Sequence, residues 1–85
     1  MSNIQRENEL RAVQALLREI RLDAGVTQQE LAARLGIPQS FISKYEAGTR
    51  RLDICELRRV LAALEVSLED FLRRLDARLS SSLAV

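Results

Sequence analysis

The chain has 85 residues, 47% of them hydrophobic and 29% charged, which suits one small domain with a packed core and a charged surface. It contains no His and a single Cys, which excludes a Ser–His–Asp triad, a thiolate–imidazole pair and a zinc site, so we expect no enzyme, no metal and no cofactor. No apolar run is long enough for a membrane span and no signal-peptide pattern opens the chain, which together with the lone thiol predicts a protein of the reducing cytoplasm.

A first helix is predicted before Gly25, starting near Asn3. Apolar residues recur at helical spacing in this segment and form one stripe: Leu10, Val13, Leu17, Ile20 and Ala24, widened by Leu16. Gly25 suits the left-handed conformation that often ends a helix. The stripe predicts that one face of this helix packs on the rest of the chain.

Three short segments share one pattern: an apolar residue, a capping residue, two further residues, an acidic residue and a second apolar residue. They read VTQQEL at 26–31, LDICEL at 52–57 and VSLEDF at 66–71. Each pattern is typical of a helix N-terminus, where the capping side chain accepts a bond from a free backbone N–H and the apolar pair packs together. The predicted N-caps are Thr27, Asp53 and Ser67.

These signals predict helices over 28–35, 54–64 and 68–75, with an extension of the last to 79 left open. Cys55, early in the fourth helix, is expected to be a small, half-buried residue. The closing segment SSSLAV has little periodicity. We therefore expect a single domain over 1–79 and a frayed tail over 80–85.

The third helix is predicted to start at residue 38 or 39 and to end before Gly48. Only Gly36 and Ile37 clearly separate it from the second helix, so the two helices must meet at a tight corner. Small Ala32 permits their close approach, and Gly36 permits the positive φ of the turn. This is the layout of the DNA-binding helix–turn–helix, whose second helix enters the major groove.

The outward face of the third helix carries short polar side chains rather than the Glu and Lys of an ordinary exposed face. A helical wheel turns Ile42 and Tyr45 inward and leaves Phe41 at the boundary. Gln can pair with adenine, Lys can donate to guanine, and Ser can bond to a base or a phosphate. The four predicted base contacts are Gln39, Ser40, Ser43 and Lys44.

Phosphate contacts are predicted on both sides of this face. The segment 27–51 holds four basic residues against two acidic ones, and it is the only part of the chain with a positive excess. At the start of the second helix, free backbone N–H groups and the helix dipole favour an anion beside Thr27 and Gln28. After the third helix, Arg50 and Arg51 are placed to bond the DNA backbone.

Residues 15–72 resemble the Cro/phage-repressor helix–turn–helix family, also called the xenobiotic-response-element family. The matching segments are LREIRLDAGVTQQELAARLGIPQSFISKYEAGTRRLD and LAALEVSLEDFL. The resemblance implies an all-α, compact five-helix bundle of the lambda-repressor-like type that binds double-stranded DNA as a homodimer. It implies phosphate contacts by Gln28 and Arg50, base contacts by the four residues named above, and an ion pair between Arg21 and Glu46. Pro38 departs from the Ser or Thr cap that is frequent in the family.

The sequence therefore predicts a sequence-specific transcriptional regulator that acts as a homodimer on a palindromic operator. Helix five and the tail have more apolar residues than one small core needs, and the long first helix is the rival dimer surface. The predicted dimer residues are Phe71, Leu72, Leu75, Leu79 and Leu83. Three regulatory roles remain open: a stand-alone repressor, a restriction–modification controller and an antitoxin. A protein-interaction module that has kept the fold is a further alternative. The sequence does not identify a further protein partner.

Overall fold

The structure is a computed structural model that describes the backbone of residues 3–83 and the side chains of residues 3–80. Within that range the chain forms five α-helices and no strand: α1 (Asn3–Asp23), α2 (Gln28–Leu35), α3 (Gln39–Ala47), α4 (Ile54–Ala63) and α5 (Leu68–Leu83). The predicted all-α, five-helix architecture is confirmed. None of these helices is both long and apolar enough to cross a membrane.

The three predicted N-caps are confirmed by hydrogen bonds. The Thr27 hydroxyl accepts from the Glu30 backbone N–H at 3.0 Å, and the Ser67 hydroxyl accepts from the Asp70 backbone N–H at 3.0 Å. Asp53 forms a complete capping box with residue 56 at the start of α4. Each bond satisfies a donor that the first helical turn leaves free, which is why these local patterns locate helix starts correctly.

The corner between α2 and α3 follows the predicted chemistry. Gly36 adopts the left-handed conformation with φ of 67°, and the Ile37 backbone N–H donates to the Ala32 carbonyl at 3.1 Å. Pro38 is the residue before α3, with φ of −64° and ψ of 146°, and gives the helix no side-chain cap. The fixed φ of proline is compatible with this entry, so α3 begins at Gln39 without a capping acceptor.

The core lies between the helices, with α2 packed against α3 and α4, and α1 packed against α3 and α5. Its largest fully buried side chains are Tyr45, Phe71, Leu17, Leu31, Ile42, Leu61 and Val60. The prediction that Phe71 belongs to a dimer surface is therefore wrong, because its side chain is 0% exposed and fills the core of the single chain. The expected half-burial of Cys55 is also wrong, since this residue is exposed.

Helix α5 is longer than its sequence predicts and packs along α1. Arg78 donates from both terminal nitrogens to the carboxylate of Glu19 on α1, with distances of 2.7 and 3.0 Å. This bond lowers the pKa of the Glu19 carboxyl and raises that of the Arg78 guanidinium. The backbone of α5 continues to Leu83, although the side chain of Leu83 lies outside the described ones. Residues 84 and 85 lie outside the described residues altogether, so the frayed tail stays a prediction.

Tyr45 carries a buried hydroxyl that has no hydrogen-bond partner among the described residues. Burial raises the pKa of this hydroxyl above its ordinary value. Leaving a polar group unpaired in the core costs about 1–3 kcal/mol. We expect Tyr45→Phe to raise the free energy of unfolding by about 1 kcal/mol, measured by urea denaturation. An unchanged or lower value would mean that an ordered water or a group outside the described range bonds the hydroxyl.

Candidate nucleic-acid interface

Helix α3 presents a row of unpaired polar side chains to solvent. Ile42 and Tyr45 anchor the helix from its inner side, at 0% and 1% exposure. On its outer side, all four predicted base-contact residues are exposed, and none makes a side-chain hydrogen bond or ion pair within the described part of the chain: Gln39, Ser40, Ser43 and Lys44. Their donors and acceptors are thus available to a ligand that lies along this face.

The inner side of α3 is tied to α1 and α2 by one carboxylate. Arg21 on α1 bonds Glu46 on α3 twice, Nε to Oε2 at 2.7 Å and Nη2 to Oε1 at 2.9 Å, with both side chains less than one-tenth exposed. The hydrogen bond to Glu46 raises the pKa of the Arg21 guanidinium. The remaining terminal nitrogen of Arg21 donates to the Val26 carbonyl at 2.8 Å. This is the ion pair that the family resemblance implies.

Gln28 also bonds this carboxylate, which the sequence did not indicate. Its side-chain Nε2 donates to Oε1 of Glu46 at 3.0 Å. A glutamine amide has two N–H donors, so this bond uses one of them and leaves the second available to another acceptor. Glu46 thereby fixes the orientation of Gln28 at the first position of α2. The neighbouring Thr27 hydroxyl, by contrast, both caps α2 and donates to Oε1 of Glu30 at 3.2 Å.

Arg50 and Arg51 follow α3 but have different surroundings. Arg50 bonds Oε2 of Glu56 at 2.8 Å, donates to the Arg51 carbonyl at 3.1 Å, and places its guanidinium carbon 4.1 Å from the centre of the Phe41 ring. Arg51 is exposed, and its side chain has no ion pair within the described residues. Of these two arginines, both predicted to contact phosphate, Arg50 is already bonded to Glu56, whereas Arg51 has no ion pair with any described residue.

Phe41 links α3 to this arginine. Its ring meets that of Tyr45 edge-on, with centroids 6.0 Å apart and planes at 77°. It is half-buried and packs against the core, as its boundary position predicts.

Glu56 is the residue at this edge whose full role the sequence did not indicate. Its capping role was visible in the local pattern, but no local periodicity connects it to Arg50 across the loop between α3 and α4.

The end of α3 is a left-handed turn that lies close to α1. Gly48 has φ of 85°, and a Cβ added there would lie 2.9 Å from the side-chain oxygen of Gln14 on α1. The left-handed backbone is what requires glycine, since the end of the flexible Gln14 side chain can move aside for a Cβ. The backbone N–H of Thr49 donates to the Lys44 carbonyl at 2.9 Å and closes the helix. The C-terminal end of α3 is therefore held by its own backbone bonds.

A family model described as Helix-turn-helix matches residues 17–71, which is more than half of the chain. The chain belongs to the Cro/phage-repressor type of this family. The matched segment runs from the middle of α1 into α5 and contains the whole of α2, α3 and α4. No curated protein matches the chain in a comparison of sequences.

Solved structures of this Cro/phage-repressor type are similar to the chain along most of its length. An XRE-family like protein from Pseudomonas syringae pv. tomato str. DC3000 is 41% identical, with a TM-score of 0.82 over 91% of this chain and 98% of that one. The wild-type Restriction-Modification Controller Protein C.Esp1396I is 33% identical, with a TM-score of 0.76 over 81% of this chain and 88% of that one.

C.Esp1396I has also been solved as a tetramer in complex with its natural 35-base-pair operator. That structure is 32% identical to this Cro/phage-repressor-type chain, with a TM-score of 0.78 over 84% of this chain and 93% of that one. Identities above 30% over such coverage are consistent with the family match. The family is one of DNA-binding transcription regulators.

Proposed function

We propose that this protein is a sequence-specific transcription regulator that acts as a homodimer on a palindromic operator, with α3 of each copy in a major groove. Gln39, Ser40, Ser43 and Lys44 are then the base-contacting residues. Thr27, Gln28, Arg50 and Arg51 contact phosphates on both sides of the groove. The cytoplasm is the compartment that fits such a role.

The contrast between the two sides of α3 carries this proposal. On the inner side, the polar groups of Arg21, Gln28 and Glu46 are bonded to one another and hold three helices together. On the outer side, the four short polar side chains have no partner in the described part of the chain. Exposed polar side chains are hydrated rather than bonded within the chain, so they can exchange water for base edges, which offer complementary donors and acceptors.

A homodimer follows from the small size of one helix–turn–helix unit. Two copies related by a two-fold axis would read half-sites about 34 Å apart, one turn of the duplex. The proposed dimer surface is now Leu72, which is 44% exposed, with the half-buried Leu75 and Leu79 on α5. The exposed Ile4 on α1 marks the rival surface, at 71% exposure. Light scattering after size exclusion, with and without DNA, tests the dimer, which a strict monomer in both conditions would contradict.

Selection of bound sequences from a random duplex library tests the function directly. We expect an enriched site with two inverted half-sites, and an affinity for it that falls steeply as salt rises because phosphate contacts release counterions. A folded protein that enriches no sequence and shows no salt-dependent DNA affinity would contradict the proposal. It would instead support a protein-interaction module of the same fold.

Gln39→Ala is expected to relax the base preference and to weaken binding to the selected site by about 1–3 kcal/mol, because one bidentate base contact is lost. Arg50→Ala is the matched control at the edge of the same face. It should weaken all sequences alike and flatten the dependence of log K on log salt by about one unit. Fluorescence anisotropy with the selected and a scrambled duplex separates the two results. Unchanged selectivity in folded Gln39→Ala would remove that residue from the base contacts.

A restriction–modification controller is the second candidate, favoured by the 33% identity to C.Esp1396I, whose name states that role. The two proteins align over 81% of this chain. Genes for a methyltransferase and an endonuclease beside this gene, with the selected operator upstream of them, would support this candidate. Their absence would leave a stand-alone repressor or an antitoxin.

A further inference from the structure

Glu56 uses its two carboxylate oxygens for two different partners. Oε1 accepts from the Asp53 backbone N–H at 2.9 Å and completes the capping box of α4. Oε2 accepts from Nη2 of Arg50 at 2.8 Å. Because the two bonds use different oxygens, Arg50 can leave the carboxylate while the cap of α4 stays closed.

Arg50 is held in place without being buried. Its guanidinium lies over the Phe41 ring, a cation–π contact, and a second terminal nitrogen donates to the Arg51 carbonyl. The side chain of Arg50 is still 38% exposed and that of Glu56 is 23% exposed. Ion pairs with this much contact with water are weak. The arrangement therefore positions the guanidinium but lets it go at a small cost.

Glu56 bonds Nη2 of Arg50, and a DNA phosphate that approached the same edge of the guanidinium would meet this carboxylate. Arg forms charge-assisted bonds of the same kind to phosphate and to carboxylate, so the two anions compete for that edge of the guanidinium. They also repel each other when both lie within a few ångströms of the guanidinium. No such carboxylate is bonded to Arg51, the other arginine of this segment, within the described residues.

We propose that Glu56 is a positioning residue that competes with DNA for Arg50. In the free protein it holds the guanidinium against Phe41, and in the complex Arg50 exchanges this carboxylate for a phosphate oxygen. The inference rests on the proposed function, because it takes Arg50 as a phosphate contact. Glu56 thus lowers the affinity for any duplex without touching it.

Glu56→Gln isolates this effect, because glutamine also serves in capping boxes and keeps an oxygen for the Asp53 N–H. We expect its dissociation constant for the selected duplex to fall about two- to fivefold, the factor that an exposed ion pair is worth. The tightening should vanish when Arg50 is replaced by Ala as well. Glu69→Gln is the matched control, since Glu69 pairs with exposed Arg73 on α5. It removes the same charge and should leave the affinity unchanged.

No tightening in Glu56→Gln, a weakening, or a tightening of equal size in the Arg50→Ala background would overturn the proposal. If the unsubstituted protein binds no duplex, the proposed function fails; if it binds and Glu56→Gln alone has no effect, only the competition fails. Should Glu56→Gln unfold, NMR of the unsubstituted protein decides. The Arg50 Nε–H signal, shifted by the Phe41 ring, must move when duplex is added, and an unmoved signal would equally overturn the proposal.

Discussion

Glu46→Ala is expected to lower the free energy of unfolding by about 3–5 kcal/mol, as the loss of one member of a buried ion pair generally does. The substitution leaves Arg21, only 6% exposed, with the Val26 carbonyl as its remaining partner in the described chain, and leaves the Gln28 amide unbonded. A charge kept away from water without its counter-ion accounts for most of the cost. Urea denaturation at neutral pH measures the change.

The size of this effect is set by burial, and Glu69→Ala provides the comparison. Glu69 also pairs with an arginine, but at 3.4 Å and with both side chains more than 70% exposed. Such pairs contribute about 0–1 kcal/mol. A loss below about 1 kcal/mol in Glu46→Ala, similar to that of Glu69→Ala, would show that water replaces the missing carboxylate.

Phe71→Ala is expected to cost about 3–5 kcal/mol of stability at every protein concentration, because it empties a fully enclosed site in the core of one chain. That is a large part of the 5–15 kcal/mol that holds a typical domain together. Thermal and urea denaturation over a hundredfold range of concentration measure it. Phe71→Leu, which keeps part of the volume, should lose less and remain folded.

Leu72→Ala is the neighbouring control for Phe71. Leu72 is 44% exposed, so within a monomer its truncation should change stability by no more than about 0.5 kcal/mol. If α5 forms the dimer surface, the cost of Leu72→Ala should instead grow as the protein is concentrated. A concentration-dependent loss in Phe71→Ala, with none in Leu72→Ala, would return Phe71 to the interface and contradict its place in the core.

Local chemistry made most of the fold predictable. The N-caps Thr27, Asp53 and Ser67 act within one helical turn, and the left-handed turn at Gly36 needs only that residue, so a short window of sequence contains the whole signal. The Arg21–Glu46 pair, 25 positions apart, was reached only through resemblance to a family. Neither spacing nor periodicity links those two residues.

The features that the sequence did not indicate depend on contacts between distant segments. The extension of α5 runs through a serine-rich stretch of poor helix formers and is accompanied by the Arg78 bond to Glu19, 59 positions away. The number of apolar residues in α5 and the tail predicted a dimer surface there, but a number alone does not show that Phe71 faces inward and Leu72 outward. At the candidate interface, helical geometry predicts which residues of α3 face outward. The bond between Glu56 and Arg50, by contrast, depends on the path of the loop between α3 and α4.

Within the described chain the outer face of α3 has no bonded partner, so the residues proposed to read DNA are separate from those that keep the domain folded. A substitution at Gln39, Ser40, Ser43 or Lys44 breaks no bond inside the domain, so its cost in stability should stay within the small range of surface changes. Under the proposed function, descendants of this gene can therefore acquire new DNA targets one residue at a time, with no compensating change in the core. The same property would make the domain a convenient scaffold for engineered regulators, since a library at the four proposed base-contact positions would vary recognition without disturbing the fold.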